Sequence, residues 1–356
     1  MIESIKIVNF KSIREAEITL RPINVLIGSN GAGKSNFVNF FGFLKAISDR
    51  ELTKFTGDRG GADRILYLGS RVSTELLGII NFENTNRYRF HLAPNDQQNF
   101  YFVGEATDYN KAAKKNEDTN WYDKQLGSGH IESRLQNHGS LVIDYVRKYM
   151  GLFQVYHFHD TSRTAPLKKT ARLQDNVYLR ADGSNLPAFL YHLQQTELQS
   201  FNWIEGIIRT IAPYFERFDL QPTGDYIRLN WRQKGTDMYL DASDFSDGTI
   251  RFVALCTLLA QPNPPRTIII DEPELGLHPY AITVLAELIK NVKSQVILST
   301  QSVNFVNEFE PEDVIIVENN RNQSTFRHLD KENLTDWLEE YTLSDLWYKN
   351  VIGGNP

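Results

Sequence analysis

The chain has 356 residues, 41% of them hydrophobic and 23% charged, with a net charge of −6 and a single cysteine. That is ordinary globular composition, long enough for two domains or for one core domain carrying a large insertion. It excludes a membrane-spanning helix, since no apolar run approaches about 18 residues; an internal disulfide; and a surface coated throughout in nucleic acid, although a local basic patch is compatible with the charge. Met1–Lys6 carries an acid and strand-like alternation instead of a secretion signal, and the lone Cys256 lies in an apolar run as a small packed hydrophobe. A reducing cytoplasm and no membrane partner are therefore expected.

In chain order, Ser4–Val8 and Ala16–Leu20 read as strands and Ile23–Ile27 as a buried one. A glycine-rich loop, Gly28–Ser35, leads into a helix from Asn36 that ends near Asp49, and Gly60–Arg64 reads as a turn. From Thr74 to Thr107 the apolar residues alternate between Asn- and Pro-rich breaks, which predicts an antiparallel meander. Residues 108–130 are polar and read as a loop, mobile in its Asn/Lys-rich part. Helical spacing returns at Ile131–Met150 and Leu186–Phe218, and Tyr226–Trp231 with Met238–Leu240 forms a hairpin around Lys234-Gly235. Ser246-Asp247-Gly248 opens an apolar helix, Ile250–Leu259. Then strand Thr267–Asp271, helix Tyr280–Val292, strand Gln295–Ser299, short helix Val303–Phe309 and strand Asp313–Glu318 alternate as in a doubly wound parallel sheet.

The loop Gly28-Ser29-Asn30-Gly31-Ala32-Gly33-Lys34-Ser35 has two glycines five positions apart and then Lys-Ser. Glycines let the backbone N–H groups turn inward around a phosphate, and the following helix points its positive end at the same place. Lys34 reaches the outer phosphates and the Ser35 hydroxyl is a ligand for Mg²⁺. Asn30, Gly31, Ala32, Gly33, Lys34, Ser35 and Asn36 are thus the candidate nucleotide contacts. Such a site needs a carboxylate partner, which the apolar strand ending in Asp271-Glu272 supplies. Asp271 would hold the metal and Glu272 would polarise the attacking water. The expected cofactors are ATP and Mg²⁺; the absence of an Asn-Lys-x-Asp motif disfavours GTP.

Asn9-Phe10-Lys11-Ser12, the loop ending in Gly33-Lys34-Ser35-Asn36, Phe245–Thr249 and Asp271–Pro279 together resemble the RecF/SMC-like branch of ABC ATPases. The likeness is nearest to the AAA-21/AAA-15 ATPases, which share the head fold of the overcoming-lysogenization-defect proteins, and it covers about residues 1–90 and 225–320. It implies an α/β P-loop NTPase with an ABC-ATPase-like head: mixed and antiparallel strands packed on a parallel core sheet, plus a mixed helical insertion. Domains are expected at 1–90 (N-terminal lobe), 91–225 (insertion), 226–330 (C-terminal lobe) and 331–356 (tail). In that family two heads sandwich two ATP molecules, so the resemblance implies a homodimer or higher homo-oligomer. Ser246 and Gly248 would then touch the γ-phosphate held by the opposite subunit. The switch position, usually His, is Gln301, which joins Glu272 as a catalytic candidate and predicts slow or gated turnover because an amide does not titrate. His278 stands where transporter-like members have Asp, and Thr249 replaces the second signature glycine.

Four features have two readings each. His157 and His159 are either a metal pair or, preferably, polar contacts near the nucleotide or on a regulatory surface. Arg163, Lys168, Lys169 and Arg172, with Arg147 and Lys148, are a solvated face or contacts for DNA or RNA phosphates. Lys11 lies by the nucleotide or on plain surface, and the tail Leu343–Ile352 docks on its own head or on a partner. The leading expectation is an ATPase acting as sensor or motor in a nucleic-acid-linked process, in anti-phage defence, with the effector, a nuclease or toxin, on a separate protein. The alternatives are a DNA repair or maintenance ATPase and a nucleotide-gated scaffold that holds a toxin inactive, with an ABC transporter motor ranked below both.

Overall fold

A computed structural model describes residues 1–83, 85–110, 121–137 and 139–354. The N-terminal half runs β1 (Ile2–Phe10), β2 (Ile13–Thr19), β3 (Ile23–Ile27), α1 (Lys34–Asp49), α2 (Leu52–Asp58), α3 (Ala62–Ile65), β4 (Leu76–Phe82), β5 (Asn86–Pro94), β6 (Phe100–Asn110), β7 (Trp121–Gly127), α4 (Leu141–Gly151) and β8 (Val155–Tyr156). Next come β9 (Ala171–Arg172), α5 (Leu186–Thr196), α6 (Leu198–Ile211), β10 (Phe215–Phe218), β11 (Tyr226–Ile227), β12 (Asn230–Gln233), β13 (Leu240–Asp241) and α7 (Asp247–Ala260). The chain continues through β14 (Thr267–Asp271), α8 (Pro279–Asn291), β15 (Gln295–Ser299), α9 (Val303–Val306), β16 (Val314–Asn320), β17 (Gln323–His328), α10 (Thr335–Leu338) and α11 (Leu343–Tyr348).

The core sheet has the order β17-β16-β3-β15-β14-β8, parallel except for β17. Its central strands β3, β14 and β15 are mostly apolar because both faces are covered. Alternate residues enter different cores. Val25, Ile27, Ile268, Ile270, Val296 and Leu298 face the helices α5 to α8. Leu26, Ile269, Ile297 and Ile315 face α1 and the second, antiparallel sheet, β2-β1-β4-β5-β6-β7. Here α1 buries Phe37, Phe40, Phe41 and Phe43, with the Phe10 and Phe40 rings edge-on at 5.1 Å. The fold is thus α/β with antiparallel strands stacked on a parallel core, as expected.

Several sequence expectations need correction. The polar stretch 108–130 is not a loop throughout: β6 extends to Asn110 and β7 pairs with it from Trp121. Four of the seven β7 side chains are exposed, so the edge strand is held by backbone pairing and blunted by Asp123 and Lys124, and no apolar alternation marks it. Residues 111–120 of that stretch lie outside the described residues. Gly60–Arg64 contains the start of the one-turn helix α3. Helix α4 begins only at Leu141, where the Ser140 hydroxyl accepts from the Ile143 N–H. The second helical span breaks at Glu197 and ends before Pro213, after which Phe215–Phe218 is a strand. Tyr226–Trp231 is two short strands: β11 pairs with β9, and β12 pairs with β10 and β13. The boundary drawn at residue 90 falls inside β5, whose sheet continues through β6 and β7. The tail packs on its own head, with Trp347 fully buried and its indole N–H donating to the Gly354 carbonyl at 2.8 Å. Among the described residues no helix is long and apolar enough to cross a membrane.

Candidate nucleotide site

The glycine-rich loop leaves the carboxyl end of β3, in the middle of the core sheet, where open α/β sheets bind ligands. The ends of β14 and β15 arrive beside it. A cleft of about 150 Å³ is lined by Asn30, Gly31, Ala32, Gly33, Lys34, Ser35, Asn36 and Gln301. Gly33 has φ +117°, and a Cβ there would overlap the Ser324 hydroxyl, so both backbone and space demand glycine. The buried Ser324 Oγ donates to the Ala32 carbonyl at 2.6 Å and lies 2.7 Å from Ser12 Oγ, which accepts from Asn36 Nδ2 at 2.7 Å. The loop is therefore clamped at its helix end by β17 and by the turn after β1.

Lys34 is buried, with Nζ donating to the Gly28 and Ser29 carbonyls at 2.6 and 3.1 Å. Burial lowers its pKa, while Glu272, Asp271 and Glu274 pull the other way. Ser35 Oγ donates to Asp271 Oδ1 at 3.5 Å, and the Ser299 hydroxyl donates to the same oxygen. The convergent hydroxyl and carboxylate oxygens of Ser35 and Asp271 are the hard donors that suit Mg²⁺. Glu272, one residue on, has a left-handed backbone (φ +44°) and donates its N–H to the Ser299 carbonyl at 2.9 Å. Its Oε1 accepts from the Gln301 amide. The charged lysine, the two acids and the switch amide thus meet at one sheet edge.

Ser246 and Gly248 do not line that cleft. Ser246 caps α7 by accepting from Thr249 N at 3.2 Å, and it is exposed. Gly248 lies so close to the Gly276 carbonyl that a Cβ would overlap it, which presses the start of α7 onto the loop after β14. His278 caps α8 through Nδ1.

His157 follows the last residue of β8, which pairs with Ile270 in β14, and so stands beside Asp271. Desolvation lowers the imidazole pKa even though the ring is partly exposed, with Asp271 opposing the shift. The His157 and His159 ring centres are 6.2 Å apart, and among the described residues no group of three His, Cys, Asp or Glu side chains is placed to hold a metal. Lys168, part of the basic run, turns inward: its Nζ donates to the Thr161 carbonyl at 2.6 Å and pairs with Asp247 at 3.2 Å. Arg251, from α7, donates to the Phe158 and His159 carbonyls, both at 2.9 Å. Lys11 is half-buried next to Arg59, and both effects lower its pKa.

Four of these residues escaped sequence reasoning. Ser12 and Glu274 lie inside recognised motifs, so only their roles were missed. Ser299 directly precedes Thr300-Gln301, and its pairing with Asp271 follows from strand register. Ser324 sits in β17, a polar strand with no motif to mark it.

The sequence pattern of the family described as "AAA domain, putative AbiEii toxin, Type IV TA system" matches residues 23–307. The chain belongs to this family. This AAA-domain chain is also similar to the DNA replication and repair protein RecF of Renibacterium salmoninarum, 36% identical over 99 residues, which are 26% of the chain and 25% of that protein. The Old nuclease of Escherichia phage P2 is 23% identical over 343 residues, 86% of the chain and 57% of the relative. The chain spans between a quarter and somewhat over half the length of these curated relatives. Its fold is that of SMC heads. A Smc head bound to the C-winged helix domain of ScpA matches with TM-score 0.64 at 15% identity, over 94% of this chain and 99% of that one. A Smc head with an extended coiled coil, bound to the C-terminal domain of ScpA from Pyrococcus furiosus, matches with TM-score 0.55 at 14% identity, over 95% and 98%. Sequence and fold together place the AAA-domain chain in the RecF/SMC-like class of ABC-type ATPases.

Proposed function

We propose that the chain binds ATP with Mg²⁺ and hydrolyses it in a composite site shared by two copies. One observation carries this reading: Ser35 and Asp271 approach to 3.5 Å while Glu272 contacts Gln301 at the same sheet edge. Gly31, Gly33 and Lys34 would cradle the phosphates, with Asn30, Ala32 and Asn36 beside them. Ser35 and Asp271 would hold the metal, which when bound neutralises developing phosphate charge. Glu272 would polarise the water, and Gln301 would orient Glu272. Ser246, exposed, and Gly248, partly exposed, at the positive end of α7 and away from their own cleft, would meet the γ-phosphate bound by the other subunit.

The biological setting we infer is nucleic-acid-linked sensing or motor work, in anti-phage defence with a separate nuclease or toxin effector. A repair-associated RecF and a phage nuclease among the relatives support the link to DNA. The family description, which names a toxin, supports a second reading in which the nucleotide state restrains a toxin. Glu272→Gln tests the core of the proposal. Hydrolysis should fall by about a hundredfold or more with ATP binding retained, and the ATP-loaded protein should accumulate as a dimer. Unchanged turnover would remove Glu272 from the chemistry. DNA and RNA titrated into the same assay decide the nucleic-acid part: no binding and no change in rate would sink it.

A further inference from the structure

Glu274 enters the core behind the switch loop, 8% exposed. Its Oε1 accepts from the Thr300 hydroxyl and from Gln301 N at 3.3 Å. The Thr300 oxygen in turn accepts from Ser302 N at 2.9 Å, and Thr300 N donates to the Leu26 carbonyl at 3.0 Å. Glu274 Oε2 is buried and has no hydrogen-bond partner among the described residues. A buried acid with one orphaned oxygen is costly, and an apolar side chain would fill the same space without that cost. The side-chain bonds it does make go to two consecutive residues, Thr300 and Gln301.

Those residues set where the Gln301 side chain points. Its amide donates to Glu272 Oε1, and the Glu272 backbone is fixed from the same strand end by the Ser299 carbonyl. Both partners of the Gln301–Glu272 contact are thus anchored at the end of β15, one by a carbonyl and the other by Glu274. We propose that Glu274 is a positioning residue, holding Thr300 and Gln301 so that the Gln301 amide meets Glu272. Burial holds the Glu274 carboxyl above its usual range, against the pull of its hydrogen bonds. The proposal rests on the ATPase reading for its kinetic consequence, but its structural claim is read independently.

Amide hydrogen exchange across residues 300–302 is that independent readout. In Glu274→Ala the Gln301 amide should exchange about tenfold faster or more, and Glu274→Gln, which keeps the accepting oxygen, should restore protection. In the ATPase assay Glu274→Ala should lower kcat about tenfold with the ATP Kd unchanged. Combined with Gln301→Ala it should cost no more than Gln301→Ala alone, because one residue acts through the other. If Glu274→Ala does not fold, Thr300→Val reads the same contact from its other side and should speed exchange at Gln301. Unchanged exchange in these variants, or a double-mutant loss equal to the product of the single losses, overturns the proposal. Faster exchange in a protein whose wild type hydrolyses no ATP would instead overturn the ATPase reading and leave the placement of Gln301 standing.

Discussion

The Ser324 hydroxyl occupies the space that a side chain on Gly33 would need. The phosphate loop is therefore shaped from outside its own motif, by a strand some 290 residues further along the chain. Gly33→Ala should abolish ATP binding, measured by calorimetry, and adding Ser324→Gly should not restore it. That second change clears the space but leaves φ at +117°, which a residue with a Cβ rarely adopts. Ser324→Ala alone frees the Ala32 carbonyl and should weaken ATP binding by about three- to tenfold.

The composite site makes a prediction for mixed proteins. Neither Lys34→Ala nor Ser246→Arg homodimers should turn over ATP, one for want of the phosphate-binding ammonium and the other through a bulky cation at the α7 cap. A mixture should recover at most one working site per dimer. Normal hydrolysis by the Ser246→Arg homodimer would mean that α7 does not complete the partner's site.

Arg251 ties α7 to the segment leaving β8 through two 2.9 Å bonds. Arg251→Met strands both carbonyls and should destabilise the fold by about 2–4 kcal/mol in urea titration. Arg251→Lys should recover less than half of that, since a single ammonium lacks the planar fork that spans two carbonyls.

Cys256 is fully buried in α7, and burial pushes its thiol well above the usual range. A disulfide reagent at pH 8 should leave the folded protein unmodified and titrate one thiol after denaturation. Rapid labelling of the native state would mean that α7 opens locally.

Much of this architecture was legible because burial on both sides leaves a plain mark: Ile23–Ile27, Thr267–Asp271 and Gln295–Ser299 are short, mainly apolar runs and appear as strands at those bounds. The same logic explains what was illegible. β7 and β17 expose or only half-bury most of their side chains, and much of their pairing is through the backbone, which leaves little composition to read. Lys168 looked like part of a solvated basic face because its partners, the Thr161 carbonyl and Asp247, are set by tertiary contact. For Glu274 the letter was visible inside a recognised motif. Its burial behind Thr300 and Gln301 was not, because only the packed sheet edge brings those residues together.

The alternation of β3, with Val25 and Ile27 in one core and Leu26 in the other, makes this strand a shared spine. Neither half can melt without taking with it the strand that carries the phosphate loop. A ligand gripping that loop therefore adds its binding free energy to both halves at once, by mass action on the native state. ATP should protect distant segments such as β5 and α6 from proteolysis together, as a single cooperative block.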